Sequence, residues 1–215
     1  MPPPSLLLLL AAAALAEDPE LPPAAVQAWQ AMSVVQRLEA RFEQIRTTSL
    51  LAQPLVSTGT LRFQRPDRLA WQVESPGRSL MVMDGSKVGM WYPDLDVREE
   101  IDLSGDPDAA RLVGAMMVWL AGDLSAVAQS YRVAWSQAAP AGAPTGTLHA
   151  AVLTPRDATM AALVSELDLF LGGEPLRVLA VTMREPDGDR VEITMRDVRL
   201  DPELPAGAFS LGAAP

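Results

Sequence analysis

The chain has 215 residues, no cysteine, one histidine and a formal net charge of −10 at pH 7. Without cysteine there is no disulfide framework, thiolate metal site, catalytic thiol or lipid-anchoring cysteine, and one histidine, His149, leaves a histidine-based metal centre or a Ser-His triad without its parts. The acidic balance sets aside polyanionic partners, so neither nucleic acid nor an anionic lipid surface is expected.

Residues 1–16 read as a signal peptide. Leu6–Leu10 and Ala11–Ala14 make an apolar run shorter than the about 20 residues needed to span a bilayer. Ala14-Leu15-Ala16 is a small-x-small cleavage pattern, and Glu17-Asp18 follows at once. The stretch before Leu6 lacks Lys and Arg, which leaves a disordered or anchored tail as the other reading. Residues 17–215 are then one domain, long enough for a substantial core.

From Pro22 to about Ala40 the spacing of Val26, Trp29, Val34 and Leu38 predicts a helix with prolines at its start. Arg41–Ile45, Ser57–Arg65 and Leu69–Glu74 alternate polar and apolar residues, as half-buried strands do. Leu80–Met83 is apolar on both faces and leads through an Asp84-Gly85 turn into Val88–Tyr92. Pro93-Asp94 stops that strand, and Val97–Leu103 is a further one. Short strands joined by tight turns predict an antiparallel meander. Pro107–Leu120 instead carries Leu112, Val113, Met116, Met117 and Leu120 at helical spacing, with Asp106 or Ser104 as N-cap. Gly122 and Asp123 end this helix and start a shorter one through Gln129. Strands resume at Tyr131–Trp135, Thr147–Thr154, Val164–Leu171, Leu176–Arg184 and Arg190–Val198. The Ala138–Gly146 stretch is a loop; Gly172-Gly173 and Asp187-Gly188 are hairpin turns. The expected fold is mainly β with α: a half-open, strongly curved antiparallel barrel of about ten to eleven strands, with helices covering its open side.

The run Phe63-Gln64-Arg65-Pro66-Asp67-Arg68-Leu69-Ala70-Trp71, followed by Met83-Asp84-Gly85 and Trp91-Tyr92-Pro93, resembles the LolA family of periplasmic lipoprotein carriers. The resemblance reaches upstream to Phe42-x-Gln44 and downstream to Leu204-Pro205 and Phe209. It implies an apolar cavity under a helical lid, and an arginine at the Arg-Pro step that hydrogen-bonds to the lid backbone. Arg65 occupies that position. Alternation places Arg65 on the apolar face with Leu61 and Phe63, where a guanidinium needs acceptors that carbonyls at a helix end supply. The other reading ends the strand at Gln64 and lets Arg65 reach water or a surface carboxylate. Leu69, Trp71 and Val73 form the next stripe; family members carry an aromatic at the first of these, so Leu69 departs from the pattern.

Met81, Met83, Met90, Met116 and Met117, with Leu112, complete the expected cavity wall. Methionine is adaptable enough to accept chains of variable shape, and it is also a common core filler. Adjacent carboxylates such as Glu99-Glu100 point to opposite faces of a strand and cannot act as a paired acid and base. The resemblance thus implies a non-enzymatic monomer without cofactor or metal. It would receive the acyl chains of lipoproteins from an inner-membrane exporter and pass them to an outer-membrane acceptor. A carrier of a non-protein lipid (glycolipid or other lipid-tailed metabolite) and a lipid-sensing regulatory domain are the alternatives, because an apolar wall alone does not distinguish these cargoes.

Overall fold

A computed structural model describes residues 21–211, leaving out the side chains of residues 108, 111, 112, 115–117 and 121. The expected signal peptide therefore lies outside the described residues. Among the described residues eleven strands form a single antiparallel sheet. They are β1 (Arg37–Thr47), β2 (Leu55–Gln64), β3 (Arg68–Ser75), β4 (Ser79–Asp84), β5 (Lys87–Tyr92), β6 (Val97–Asp102), β7 (Tyr131–Ser136), β8 (Thr147–Pro155), β9 (Glu166–Gly172), β10 (Arg177–Arg184) and β11 (Arg190–Leu200). Their spatial order is β6-β5-β4-β3-β2-β1-β11-β10-β9-β8-β7. The sheet therefore grows outward in two meanders from a central β1–β11 seam and ends at β6 and β7 without closing. Register shifts interrupt the ladder between Glu39 and Arg41, Thr58 and Gly59, and Val178 and Ala180, and such bulges bend a sheet. Helices α2 (Pro107–Ala121) and α3 (Leu124–Ser130) connect the two free edges, and α1 (Pro23–Ser33) precedes the seam. No described helix is long and apolar enough to cross a membrane.

Period-two alternation decides what the sheet buries. Phe42, Leu61, Leu69, Met83, Leu153, Leu169, Val181 and Met195 face one side and join one core with Trp29 and Met32 of α1 and Trp119 of α2. The other side carries ion pairs such as Arg41–Glu74 at 2.8 Å, Arg62–Glu39 at 2.8 Å and Arg184–Asp168 at 2.7 Å. Most of these have an exposed arginine, so each is worth at most about 1 kcal/mol. An apolar patch breaks the pattern: Ala70, Leu80 and Val82 pack outward against Phe209 and Leu211. That is why Leu80–Met83 is apolar on both faces.

The helix expected to reach Ala40 ends at Ser33. Leu38 and Ala40 instead belong to β1, where they pair with Phe63 and Leu61. The Gln36 and Arg37 amides each donate to Asp201 Oδ1 at 2.8 Å, a tie from beyond the far end of β11 that turns the chain into the sheet. Two ladders and this clamp outweigh a coincidence of helical spacing. The Asp84–Lys87 pair closes its hairpin, so the turn residues are Gly85-Ser86, one position later than expected. A one-turn helix, α4 (Ala158–Ala161), capped by Asp157, delays the start of β9 to Glu166. Asp106 is the N-cap of α2, accepting from the Ala109 amide at 3.0 Å.

Candidate lipid-binding site

Strand register carries seven of the expected wall residues to the same concave face. Leu61 opposes Trp71 and Phe63 opposes Leu69; Leu69 opposes Met83 and Trp71 opposes Met81; Met81 opposes Met90. Leu61, Phe63, Leu69 and Met83 are buried in the core, and Trp71 and Met81 are half-buried against it. The Trp71 ring packs on Phe42 with centroids 4.3 Å apart. Met90 is half-buried and lies nearer the open edge, where β6 is exposed throughout. Val97 (40% exposed) and Ile101 (59%) there leave the concave wall bare. Leu112, Met116 and Met117 fall within α2, but their side chains lie outside the described residues.

Among the described residues two openings adjoin this wall. The first is a recess at one end of the sheet, between the end of α1, the last turn of α2, and strands β1, β10 and β11. Met32, Val35, Leu38, Ala40, Phe63, Trp119, Leu120, Leu176, Val178, Met195, Val198, Leu200 and Arg177 line it. It encloses about 500 Å³ not filled by atoms, its solvent-open part included, yet only about 30 Å³ has room for the centre of a water molecule. In the described state this end is close-packed. The second is a cleft of about 710 Å³ between α1 and the α2–α3 junction, lined by Val26, Trp29, Gly122, Leu124 and Arg65 among others.

Arg65 stands at that cleft. Its amide donates to the Gln36 carbonyl at 2.9 Å, which prolongs the β1–β2 pairing by one step beyond Gln64. Its Nε donates to the Val35 carbonyl at 2.7 Å, just past the end of α1. One acceptor of Arg65 thus lies in the α1–β1 connection, one residue past the C-cap of α1. At the opposite wall of the cleft Gly122 ends α2 in the left-handed conformation, φ +60°, and Asp123 starts α3 by accepting from the Ser125 and Ala126 amides.

Sequence reasoning did not single out an aromatic row beside the wall. Trp29 and Trp135 have ring centroids 5.7 Å apart, and Trp135 stacks on His149 at 5.2 Å. The single histidine thus sits in an aromatic stack. Nor did it single out Arg177 or Val198. Burial pushes the Tyr131 phenol up to about 12. Glu185, Asp187 and Asp189 bring carboxylate oxygens within 4.8 Å of one another at the β10–β11 turn. Arg46 already ion-pairs with Glu185 and Asp189, at 3.0 and 3.8 Å.

Residues 33–212 match the family described as "Outer membrane lipoprotein carrier protein LolA". The outer-membrane lipoprotein carrier protein of Pseudomonas syringae pv. tomato is 32% identical over 109 residues, which cover 51% of this chain and 50% of that protein. The match therefore spans about half the length of that relative. The carrier protein of Pseudomonas aeruginosa is 27% identical over 196 residues, covering 89% of this chain and 85% of that one. A solved structure of an uncharacterized conserved protein from Thermus thermophilus shares the fold at a TM-score of 0.53 and 7% identity, over 89% of this chain and 94% of its own. With the family match extending from the end of α1 through β11 to the segment that covers the outer face, the chain belongs to the LolA family of outer membrane lipoprotein carrier proteins.

Proposed function

We propose that the protein is a periplasmic, non-enzymatic monomeric carrier that shields the acyl chains of lipoproteins between an inner-membrane exporter and an outer-membrane acceptor. Residues 1–16 are its signal peptide, removed on export. The observation that carries this reading is the continuous apolar concave stripe from Phe42 to Met90 beneath α1 and α2, with Arg65 bonded to the chain just beyond α1.

The chemistry follows from competing free energies. Each buried methylene contributes about 0.8 kcal/mol, so a long acyl chain held in full would release slowly. The close-packed recess offers no room for such a chain until α1 and α2 lift from the sheet. Closing energy then opposes cargo affinity, and the Arg65–Val35 bond adds to it. A hydrogen bond from a charged donor is worth about 1.5–3 kcal/mol. Leu61, Phe63, Leu69, Trp71, Met81, Met83 and Met90, with Leu112, Met116 and Met117 from α2, form the wall that replaces water around the chain.

Native mass spectrometry of the protein isolated from the periplasm of its own host tests the cargo. A lipoprotein adduct is the expected result. A free glycolipid or other lipid would move the reading to a non-protein cargo, and a lipid-free protein that gains no adduct on coexpression with a lipoprotein would overturn it.

A further inference from the structure

Among the described residues Arg177 is the sole charged one lining the apolar recess. Its Nε is shielded from solvent and has no hydrogen-bond partner. One terminal nitrogen donates to the Pro175 carbonyl at 3.2 Å, and no carboxylate stands within ion-pair distance among the described residues. Most other arginines of the sheet do have one, Arg62 with Glu39 and Arg184 with Asp168 among them. The hairpin is shaped around this side chain. Gly173 is left-handed at φ +82°, and a Cβ there would come within 2.3 Å of the Arg177 guanidinium. A buried N–H without an acceptor is costly and uncommon in folded proteins.

We propose that Arg177 is a recognition residue for the carbonyl that joins an acyl chain to the rest of its molecule. The alkyl tail occupies the recess against Phe63, Trp119 and Met195, and the ester or amide oxygen at its head accepts from Arg177 Nε. A neutral carbonyl fits better than an anionic head: the surroundings are apolar, the chain carries a net charge of −10, and Nε is the only nitrogen of this side chain that is both buried and without a partner. The arrangement gives the site a chemical preference that an apolar wall lacks, for acyl over alkyl chains. This inference rests on the acyl-carrier reading above.

The test compares two soluble lipids that differ only at that carbonyl: 1-palmitoyl lysophosphatidylcholine, an ester, and 1-O-hexadecyl lysophosphatidylcholine, its ether counterpart. Binding is measured below the micelle threshold by isothermal titration to the parent protein and to an Arg177→Met variant. The parent is expected to bind the ester about tenfold more tightly than the ether, as a charged donor meeting a carbonyl implies. Arg177→Met should lose that preference while keeping its affinity for the ether. Equal affinity of the parent for both lipids overturns the inference without need of the variant, and so does a variant that weakens both alike. If neither lipid binds the parent, the acyl-carrier reading falls, and this inference with it.

Discussion

Gly122 lies where the lid helices meet α1, and its replacement by alanine separates backbone strain from ordinary helix propensity. The residue sits at φ +60°, and a Cβ built there would lie 2.9 Å from Met32 Cβ and 3.1 Å from the Met32 carbonyl carbon. Left-handed backbone costs an alanine about 1–2 kcal/mol. Forcing a methyl against the end of α1 adds about 1–3 kcal/mol, because the obstacle is backbone and cannot swing away. The sum is about 2–5 kcal/mol, which at roughly 2–4 °C per kcal/mol for a domain of this size lowers Tm by roughly 4–20 °C. Gly114 provides the internal control. It is exposed on α2 with no atom within 4 Å of a built Cβ, so Gly114→Ala should raise stability by about 0.5–1 kcal/mol. Circular dichroism melts of both variants and the parent read the difference. The clash should also part α1 from the α2–α3 junction, so Gly122→Ala should bind an apolar fluorescent dye more strongly well below its own Tm. A Gly122→Ala protein that melts with the parent would refute the packing argument. A Gly114→Ala protein that melts well below it would refute the account of α2.

Arg65→Leu removes the bond to Val35; fluorescent fatty-acid binding should tighten about tenfold or more and release should slow, from a charged hydrogen bond worth about 1.5–3 kcal/mol. Unchanged release would show that Arg65 does not hold the lid. Leu61 is 0% exposed at the centre of the concave wall, and Leu61→Ala should cost about 2–5 kcal/mol in urea unfolding, against less than about 1.5 kcal/mol for Leu61→Met. Burial raises the Tyr131 phenol to about 12, above the ordinary phenolic value of about 10. The folded protein therefore holds that proton more tightly than the unfolded chain. Its stabilising contribution is complete below about pH 10 and is lost as pH rises towards 12. Denaturant midpoints across that window should fall for the parent and stay flatter for Tyr131→Phe.

Much of the fold was legible because its signals are local. The alternation of Leu69–Glu74 marked β3 to within a residue at each end, and Asp106, Gly122 and Asp123 marked the joints of the lid. Leu38 and Ala40 were not legible, because the clamp that makes them a strand comes from Asp201, 165 positions from Gln36. Leu80 and Val82 were visible as apolar residues on the wrong face, while the Phe209–Leu211 segment covering them carries no periodicity to announce its partner. For the site, alternation put Leu61 with Phe63 and Leu69 with Trp71, and the register brings these onto one face with Met81, Met83 and Met90. It does not say which members border free space, since that depends on where α1 and α2 dock. Arg177 shows the limit plainly: beside a Gly-Gly turn a charged side chain reads as solvated, and only packing reveals its buried, unused donor.

The β1–β11 seam has a consequence for how the molecule forms. Each meander assembles from hairpins between chain neighbours, whereas the seam joins Leu38 to Leu200 and Thr47 to Arg190. Closing so long a loop carries an entropy cost that grows only slowly with length, but non-local pairing slows folding markedly. The two arms can therefore nucleate independently and dock late, with Phe42 opposite Met195 at the point of closure. Substitutions in the outer hairpins, which form first, would act mainly on the rate of folding, and those at the late-docking seam mainly on the rate of unfolding. A gutter built this way keeps its slowest step at its midline, far from the two edges that the lid helices connect.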